Sequence, residues 1–395
     1  MMQENRFIEV DHFQIFKAHQ HVGGDVFACE KIDNDNRIIL VLSDGLGSGI
    51  KASVLATLTA TMATKFIVSY RDLKSIARII MTTLPVCKER LISYATFTIV
   101  DIDASGITRV IEYGNPAFLL IRETMALDVS RKTEEIIFSP EDKRLVYYSE
   151  FKAEFGDRIV FCSDGVTQAG MGASATPLGW GDSALANFVC SAVKIAENIS
   201  ARELARQIVS KAHRIDEGKA KDDITCGVIY LRQPRKTLIV SGPPIKQEKD
   251  KELAHRLKEF IGLKIIAGGT TANIVAREWE QDISVDIAVI DPEIPPHSRM
   301  EGVSLVTEGI LTLCKVSEIL EKGISLELIK NNAARKILEI LLNSDIIHFL
   351  VGTKINDVHQ DPNMPVEIEI RRTIVKKIKQ LLEKKHLKKV YLEYI

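Results

Sequence analysis

The chain has 395 residues, of which 46% are hydrophobic and 27% charged, as in ordinary soluble globular proteins. This length exceeds what one hydrophobic core usually supports, so we expect two domains. The formal net charge of −1 provides no overall field toward nucleic acid or an anionic membrane, which argues against both as partners.

The N-terminus lacks the apolar core of a signal peptide, and no apolar run of ~18 residues is present. We therefore expect a cytoplasmic protein in a reducing compartment. The six cysteines form no CxxC pair and have no zinc-ligand spacing. Cys29, Cys162 and Cys226 lie in apolar runs, and we expect them to be buried, reduced thiols.

The first part of the chain alternates between groups of strands and pairs of helices. Strands are predicted for FIEVDHFQIFK, VFACEKI and RIILVLSDG, followed by helices over about 51–70 and 73–90. Strands return in ATFTIVDID, ITRVIEYG and FLLIRE and, after a polar stretch, in RLVYYSEF and DRIVFCSDG. Helices over about 182–194 and 201–215 precede a closing strand, DITCGVIYL. This order predicts an α+β layered sandwich.

A new pattern begins at Arg232-Gln233-Pro234-Arg235. Apolar runs such as TLIVSG, KIIAG, ISVDIAVID and SLVTEG predict strands, with amphipathic helices between them and KVYLEYI as the last strand. We therefore place the domain boundary here, with a first domain over 1–233 and a second α/β domain over 235–395.

Four aspartates stand beside glycines or turns at the ends of predicted strands: Asp25 in GGD, Asp44 in SDG, Asp164 in SDG and Asp222 in KDDIT. One Asp-Gly after a strand is usually only a turn, but four such sites form a consistent set. Carboxylates and carbonyls are hard oxygen donors that favour Mg²⁺ or Mn²⁺ over zinc. The pattern therefore predicts a divalent metal centre.

The ordered blocks GGDVFACE, SDGLGSGIKAS, GDRIVFCSDGVTQA and DDITCGVIYL resemble the metal-dependent protein phosphatase (PPM) family. The bacterial subgroup typified by the sporulation phosphatase SpoIIE and the stress-response phosphatases is the most similar. The resemblance implies a β-sandwich flanked by helices over 1–233. It also implies serine/threonine phosphoprotein phosphatase activity with two Mn²⁺ or Mg²⁺ ions.

The resemblance further implies a role for each matching position. Asp44 bridges two metal ions, and the Gly45 carbonyl binds one of them. Asp164 and Asp222 hold the second ion, and Asp25 is a direct or water-mediated ligand. The two ions acidify a shared water, and the resulting hydroxide attacks phosphorus in line without a covalent phospho-enzyme.

Three neighbouring positions leave alternatives open. Asp223 is expected to orient Asp222, although the two aspartates could exchange roles as metal ligand. Eukaryotic members of the family carry a histidine, thought to act as general acid, after the first Asp-Gly. This chain has Leu46 there, so the leaving oxygen is expected to take its proton from metal-bound water. His21 is either a catalytic group or an ordinary turn histidine.

The second domain shows one candidate ligand site and no nucleophile–base pair, which argues against a second enzyme. Gly268-Gly269-Thr270-Thr271 joins a strand to a helix, where free amides and threonine hydroxyls suit an anion. The alternative is that Thr270 or Thr271 simply caps the helix. Glu308, after another apolar run, is expected to face the same crevice. We expect this domain to be regulatory or ligand-binding, with a small anion or a protein as its partner.

Two functions remain after this reading. The first is an active phosphatase whose substrate is a phosphoserine or phosphothreonine on a regulatory protein. The second is a non-catalytic sensor or scaffold that keeps the PPM fold and signals through the second domain. The presence of the aspartates at Asp25, Asp44, Asp164 and Asp222 favours the active enzyme.

Overall fold

The computed structural model describes residues 6–32, 37–47, 49–69, 73–83, 95–137, 143–174, 176–285, 291, 294–324, 326–353, 365–386 and 388–395. The chain divides into two compact units, Met1–Gln233 and Pro234–Ile395, called unit 1 and unit 2 below. No helix in the described part of the chain is long and apolar enough to cross a membrane.

The described residues of unit 1 form antiparallel strands and helices. The strands are β1 (Phe7–Ile15), β2 (Asp25–Ile32), β3 (Arg37–Gly45), β4 (Ala95–Asp103), β5 (Ile107–Tyr113), β6 (Leu119–Arg122), β7 (Met125–Leu127), β8 (Lys132–Ile137), β9 (Lys143–Lys152), β10 (Arg158–Cys162) and β11 (Ile224–Arg232). The helices are α1 (Ile50–Ser69), α2 (Leu73–Thr83), the single turn α3 (Asp164–Thr167), α4 (Asp182–Ile195) and α5 (Ala201–Ile215).

These strands form two sheets, with the orders β1-β11-β10-β6-β7 and β2-β3-β4-β5-β9-β8. Side chains alternate between the two faces of each strand, and the run RIILVLSDG shows the consequence. Leu40 and Leu42 pack against Phe161 and Ile229 of the other sheet, and this cluster is the core between the sheets. Ile39 and Val41 face the opposite way, in the cluster that contains α1. The predicted α+β sandwich is confirmed.

A helix pair covers the outer face of each sheet. Ala60, Ala63 and Ile67 of α1 pack on the six-stranded sheet, together with residues of α2. On the five-stranded sheet, Val189 of α4 and Ile208 of α5 belong to the cluster that covers β10 and β11. The unit therefore has four layers, in the order helix, sheet, sheet, helix.

Two details of unit 1 differ from the sequence-based expectation. The polar stretch after β6 contains β7 and β8, and β8 has no apolar run because it is an edge strand with mostly exposed side chains. Cys29 is exposed, whereas Cys162 and Cys226 are buried as expected. The prediction for Cys29 is wrong because its strand, β2, lies at the edge of the six-stranded sheet.

Unit 2 alternates strands and helices. Its strands are β12 (Lys236–Ser241), β13 (Leu263–Ala267), β14 (Ser284–Val285), β15 (Ser298–Met300), β16 (Val303–Thr307), β17 (Ile346–Val351) and β18 (Lys389–Tyr394). Its helices are α6 (Asp250–Glu259), α7 (Gly269–Trp279), α8 (Ile310–Lys322), α9 (Ala333–Asn343) and α10 (Pro365–His386). Of the predicted strand ISVDIAVID, β14 is a short piece, and residues 286–290 lie outside the described residues.

The sheet of unit 2 has the order β14-β15-β16-β13-β12-β17-β18, and the five strands from β16 to β18 run parallel. Helices cover both faces: α6 and α7 lie on one, and α8, α9 and α10 on the other. The chain first builds outward from β12 through β13 to β16, and then returns to place β17 on the other side of β12. The order of the strands therefore reverses between β12 and β17.

Candidate metal centre

Antiparallel pairing brings Asp25 and Asp44 together at one end of the strands of the six-stranded sheet, and this end is called the edge of the sheet below. Strand β2 begins at Asp25 and β3 ends at Gly45, and the register pairs Asp25 with Asp44. The Gly45 N–H also donates to the Gly24 carbonyl over 3.1 Å, which ties the start of β2 to the end of β3.

Antiparallel pairing also brings two acidic residues together in the five-stranded sheet. Asp164 follows β10 and begins α3, whereas Asp222 precedes β11, the antiparallel neighbour of β10. Ser163 fixes this junction, because its N–H donates to the Thr225 carbonyl over 3.0 Å and its Oγ accepts from the Thr225 N–H over 3.1 Å. Both acidic positions therefore lie at one edge of this sheet.

A hydrogen bond links the two edges. The Thr225 hydroxyl, on β11, donates to Asp25 Oδ2 over 2.6 Å. The other oxygen, Asp25 Oδ1, is buried and accepts no hydrogen bond from the described residues. A buried carboxylate oxygen without a donor is costly unless a proton or a cation meets it.

The adjacent residues Asp222 and Asp223 have different environments. Asp223 is buried, and its two carboxylate oxygens accept backbone N–H groups, from Lys17 over 2.9 Å and from Gly24 over 2.6 Å. Asp222 is half-exposed, and its Oδ1 lies 3.5 Å from the Lys17 ammonium group. Asp223 therefore holds the loop that leads to Asp25, while the Asp222 carboxylate remains accessible at the edge.

Burial and mutual repulsion raise the pKa values of these carboxyl groups. The pKa of Asp25 is raised to about 7, first by burial and then by the charges of Asp223 and Asp164. The pKa of Asp44 is raised to about 9 by burial and by the charges of the other aspartates. Burial and the charge of Asp222 raise the pKa of Asp164 as well. The edge thus gathers carboxyl groups whose ionised forms are unfavourable unless a cation lies beside them.

The Asp44-Gly45 turn packs tightly against α1. A Cβ at Gly45 would lie 2.0 Å from the carbonyl oxygen of Ala52, so no larger residue fits without moving the helix. A Cβ at Gly24 would lie 3.2 Å from Asp223 Oδ2 and 3.4 Å from the Gly45 carbonyl oxygen. The Gly45 carbonyl and the Asp223 carboxylate therefore both lie beside Gly24.

The side chains themselves are not in a ligating arrangement. Within the described residues, no three His, Cys, Asp or Glu side chains converge closely enough to hold a metal ion. The donor set nevertheless fits Mg²⁺ or Mn²⁺, because it offers only oxygen atoms, carries excess negative charge and includes the buried, unbonded Asp25 Oδ1. Ligation by Asp25, Asp44, Gly45, Asp164, Asp222 and Asp223 stays a prediction.

Other residues of the edge were missed or left open by the sequence. Ser163 and Thr225 belong to the SDG and DDIT blocks, so their position beside the aspartates was a usable signal. Lys17 had none, because nothing in the sequence relates it to Asp222. His21 is exposed on the turn before Asp25, and Leu46 is half-buried after Gly45.

The predicted ligand residues of unit 2 lie at the carboxyl ends of two parallel strands. Gly269 begins α7, Thr270 is exposed, and Thr271 is fully buried with an Oγ1 that has no hydrogen-bond partner in the described structure. Thr271 therefore does not cap the helix. Glu308 Oε2 accepts the Leu311 N–H over 3.2 Å, at the start of α8.

Unit 1 has two antiparallel sheets between helix layers, as the sequence predicted. The family model of Stage II sporulation protein E (SpoIIE) matches residues 34–232, just over half of the chain. The chain therefore belongs to the SpoIIE family.

Solved structures of phosphatases are similar to this chain at low sequence identity. The phosphatase domain of SpoIIE from Bacillus subtilis is 16% identical, with a TM-score of 0.44, covering 58% of this chain and 94% of that domain. RsbX in complex with magnesium is 19% identical, with a TM-score of 0.41 and coverage of 57% and 95%.

The catalytic domain of the serine threonine protein phosphatase PstP, in complex with two manganese ions, is 16% identical, with a TM-score of 0.39 and coverage of 57% and 99%. The comparison with curated proteins finds no match. The family assignment therefore rests on the sequence model.

Proposed function

We propose that unit 1 is a metal-dependent serine/threonine phosphoprotein phosphatase that acts on a phosphorylated regulatory protein in the cytoplasm. The observation that carries this proposal is the group of aspartates at one edge of the sandwich, which raise one another's pKa values. Such a group is stabilised by cations, and a donor set made only of oxygen atoms favours Mn²⁺ or Mg²⁺. Membership of the SpoIIE family supports the same function.

In this proposal the residues at the edge are the ligands of two metal ions. Asp44, which pairs with Asp25 across β2 and β3, would help to hold both ions together with the Gly45 carbonyl. Asp164 and Asp222 would hold the second ion, and Asp25 would contribute its free Oδ1. The bound ions would supply an activated water for attack on phosphorus and would offset charge on the phosphoryl oxygens.

Asp223 is a positioning residue in this proposal. Both of its oxygens already accept backbone N–H groups, so the half-exposed Asp222 is the carboxylate of this pair that would face a ligand. Because one of those N–H groups belongs to Gly24, Asp223 also sets where β2 starts and hence where Asp25 lies. Thr225 then orients Asp25 by its hydroxyl, so that only Oδ1 remains for a ligand.

Leu46 follows the Asp44-Gly45 turn and cannot donate a proton to the leaving oxygen. The exposed His21 stays a candidate for that step. A His21→Gln variant should therefore keep its turnover if the leaving oxygen takes its proton from solvent, and should lose it if the imidazole is the acid.

The test is hydrolysis of a phosphoserine peptide and of a chromogenic phosphate ester by the full chain, with Mn²⁺, with Mg²⁺ and with excess chelator. We expect turnover with either ion, none in chelator, and recovery when the ion is restored. Full turnover in excess chelator would contradict the proposal. A rise in melting temperature on adding Mn²⁺ without turnover on any phosphopeptide would instead favour the non-catalytic sensor.

A further inference from the structure

The parallel strands of unit 2 end in a row of glycines. Gly242, Gly268 and Gly352 directly follow β12, β13 and β17, and Gly309 follows β16 after one intervening residue. These four strands are consecutive neighbours in the sheet, so their carboxyl ends meet at one edge. In open α/β sheets, ligands bind at this edge where the strand order reverses, which here is between β12 and β17.

The glycines are in close contact, which keeps side chains out of the crevice. A Cβ at Gly352 would lie 2.2 Å from the Gly242 carbonyl oxygen, and a Cβ at Gly309 would lie 3.3 Å from the Gly268 Cα. Gly268 has a φ of +141°, a conformation that other residues rarely adopt, and its turn points toward the Gly242 amide nitrogen. The turns at Gly242 and Gly268 therefore approach each other with no side chain of their own between them.

Two features give the crevice positive potential. Helix α7 begins at Gly269 without a side-chain cap, so the amides of its first turn and the positive end of its dipole are open to a ligand. On the other side, the guanidinium group of Arg371, from α10, lies against Gly242: a Cβ there would be 2.5 Å from Nη1. Gly242 thus lies between a helix N-terminus and an arginine, and this pair suits an anion.

Unbonded hydroxyl groups are the independent sign of a ligand. Thr271 is fully buried, its Oγ1 has no partner within the described residues, and this oxygen faces the Gly268 turn, 3.4 Å from where a Cβ would stand. Ser241 and Thr307 are also buried with unbonded hydroxyls, and both are in register with Ala267, which lies between them. A buried hydroxyl without a partner costs stability unless something binds it.

From this arrangement we propose that unit 2 binds a small phosphate-bearing molecule at the carboxyl ends of β13, β12 and β17. The phosphoryl group lies between the first turn of α7 and Arg371, and it accepts hydrogen bonds from the amides of Gly242 and Gly269 and from the Thr271 hydroxyl. Ser241 and Thr307 are available to the uncharged part of the molecule. Glu308 is outside the anion contact, because its carboxylate caps α8. This site is independent of the phosphatase proposal.

The experiment uses the full chain with ¹⁵N-labelled glycine, titrated with inorganic phosphate and with pyrophosphate. Excess chelator is present throughout, so that the acidic edge of unit 1 carries no cation that could hold phosphate. We expect the amide signals of Gly242, Gly268 and Gly269 to shift, while those of Gly24 and Gly45 stay in place. The proposal would be overturned if the signals of Gly242, Gly268 and Gly269 did not shift with either probe. It would also be overturned if these signals shifted with acetate and citrate but not with phosphate or pyrophosphate.

Two neighbouring arginines provide a matched pair. Arg371→Gln should weaken phosphate affinity by about 10-fold or more, the value of a charge-assisted hydrogen bond. Arg372→Gln removes the same charge from the next position, where the guanidinium group lies over the Tyr394 ring, and should leave affinity unchanged. Equal affinities of the two variants would refute the role of Arg371.

A second variant keeps the test valid if Arg371→Gln does not fold. Thr271→Val keeps the shape of the side chain and removes a hydroxyl that has no protein partner, so the melting temperature without phosphate should not fall. The affinity for phosphate should drop several-fold, because the ligand loses a buried hydrogen bond. Unchanged affinity in this variant would show that Thr271 does not contact phosphate. The unbonded Thr271 hydroxyl would then no longer support a ligand site.

Discussion

Units 1 and 2 both gather polar groups at one edge of a sheet, but their strand directions make them do it differently. In the antiparallel unit 1, adjacent strands contribute opposite ends, so Asp25 and Asp222 lie at the starts of their strands while Asp44 and Asp164 lie at the ends of theirs. In the parallel unit 2, the glycines all come after their strands. The position of a residue relative to its strand therefore indicates which kind of sheet presents it.

The chemistry of the two edges differs as well. Unit 1 brings together carboxylates whose pKa values are raised, and such a group attracts cations. Unit 2 brings together backbone amides, hydroxyls and one guanidinium group, which attract anions. If this contrast is correct, a change at either edge should affect one kind of ligand and leave the other unaffected.

The largest expected effect is on turnover. Asp44→Asn and Asp164→Asn should each lower turnover by about 100-fold or more, because each removes a ligand charge worth several kcal/mol to the transition state. Asp11→Asn is the control, since Asp11 lies on the same sandwich but pairs with Arg202 at the surface of β1. Near-normal turnover of either site variant in saturating Mn²⁺ would refute the assignment.

The glycines at both edges should be intolerant of a side chain. Gly45→Ala and Gly352→Ala place a Cβ 2.0 and 2.2 Å from carbonyl oxygens, and each should destabilise its own unit by about 2–4 kcal/mol. Gly269→Ala, with no atom within 4 Å of its Cβ, should be neutral or stabilise by up to ~1 kcal/mol.

The chain's two tryptophans make these changes measurable, because Trp180 lies in unit 1 and Trp279 in unit 2. Denaturant titrations of Trp180→Phe and Trp279→Phe backgrounds report each unit separately. If unit 2 had the same free energy of unfolding in Gly352→Ala and in Gly269→Ala, Gly352 and Gly242 would not be in close contact in solution.

The charge of unit 1 should make the metal-free protein sensitive to pH. Folding raises the pKa of Asp44 from 3.8 to about 9 and that of Asp25 from 3.8 to about 7. The native state therefore keeps protons that the unfolded chain has released, and stability present below about pH 4 is lost as pH rises toward these values. In chelator, we expect the melting temperature of unit 1 to fall from about pH 5 to about pH 8.

Asp44→Asn should flatten this decline and raise the metal-free melting temperature at about pH 8, even though it should lower turnover. Adding Mn²⁺ to the unchanged protein should have the same flattening effect, since the cation takes the place of the protons. A steeper decline in Asp44→Asn than in the unchanged chain would contradict the repulsion among the aspartates.

The smallest expected effect is that of separating the units. We expect residues 1–233 and 234–395 to be soluble and folded when expressed alone, because each unit has its own buried clusters. Residues 1–233 should keep metal-dependent turnover within a few-fold of the full chain. If both pieces are unfolded while the full chain melts in one transition, the two units depend on each other for stability.

The sequence predicted most of unit 1 because its candidate functional residues are next to its clearest strands. Asp44 ends RIILVLSDG and Asp164 follows RIVFC, and both strands are long apolar runs. The sequence could not distinguish Asp222 from Asp223, because the difference depends on hydrogen bonds from Lys17 and Gly24, about two hundred residues away in the chain.

In unit 2 the sequence identified the Gly268–Thr271 turn but missed Gly242 and Arg371. Gly242 belongs to the proposed site because β17 lies next to β12 in the sheet. No local sequence pattern predicts the order of strands in a parallel sheet. Arg371 stands in a helix rich in lysine and arginine, where its sequence neighbours look the same. Only the packing of α10 on the sheet distinguishes it from Arg372.

The pairing of β1 with β11 has a consequence for how the protein is synthesised. Phe7 pairs with Arg232, and β11 lies between β1 and β10, so the five-stranded sheet cannot form until nearly all of unit 1 has left the ribosome. Strands β2 to β5, in contrast, pair in sequence order and can assemble earlier. During translation, an early sheet would expose the apolar face that contains Leu40 and Leu42 until β11 emerges, and surface of this kind is prone to aggregation.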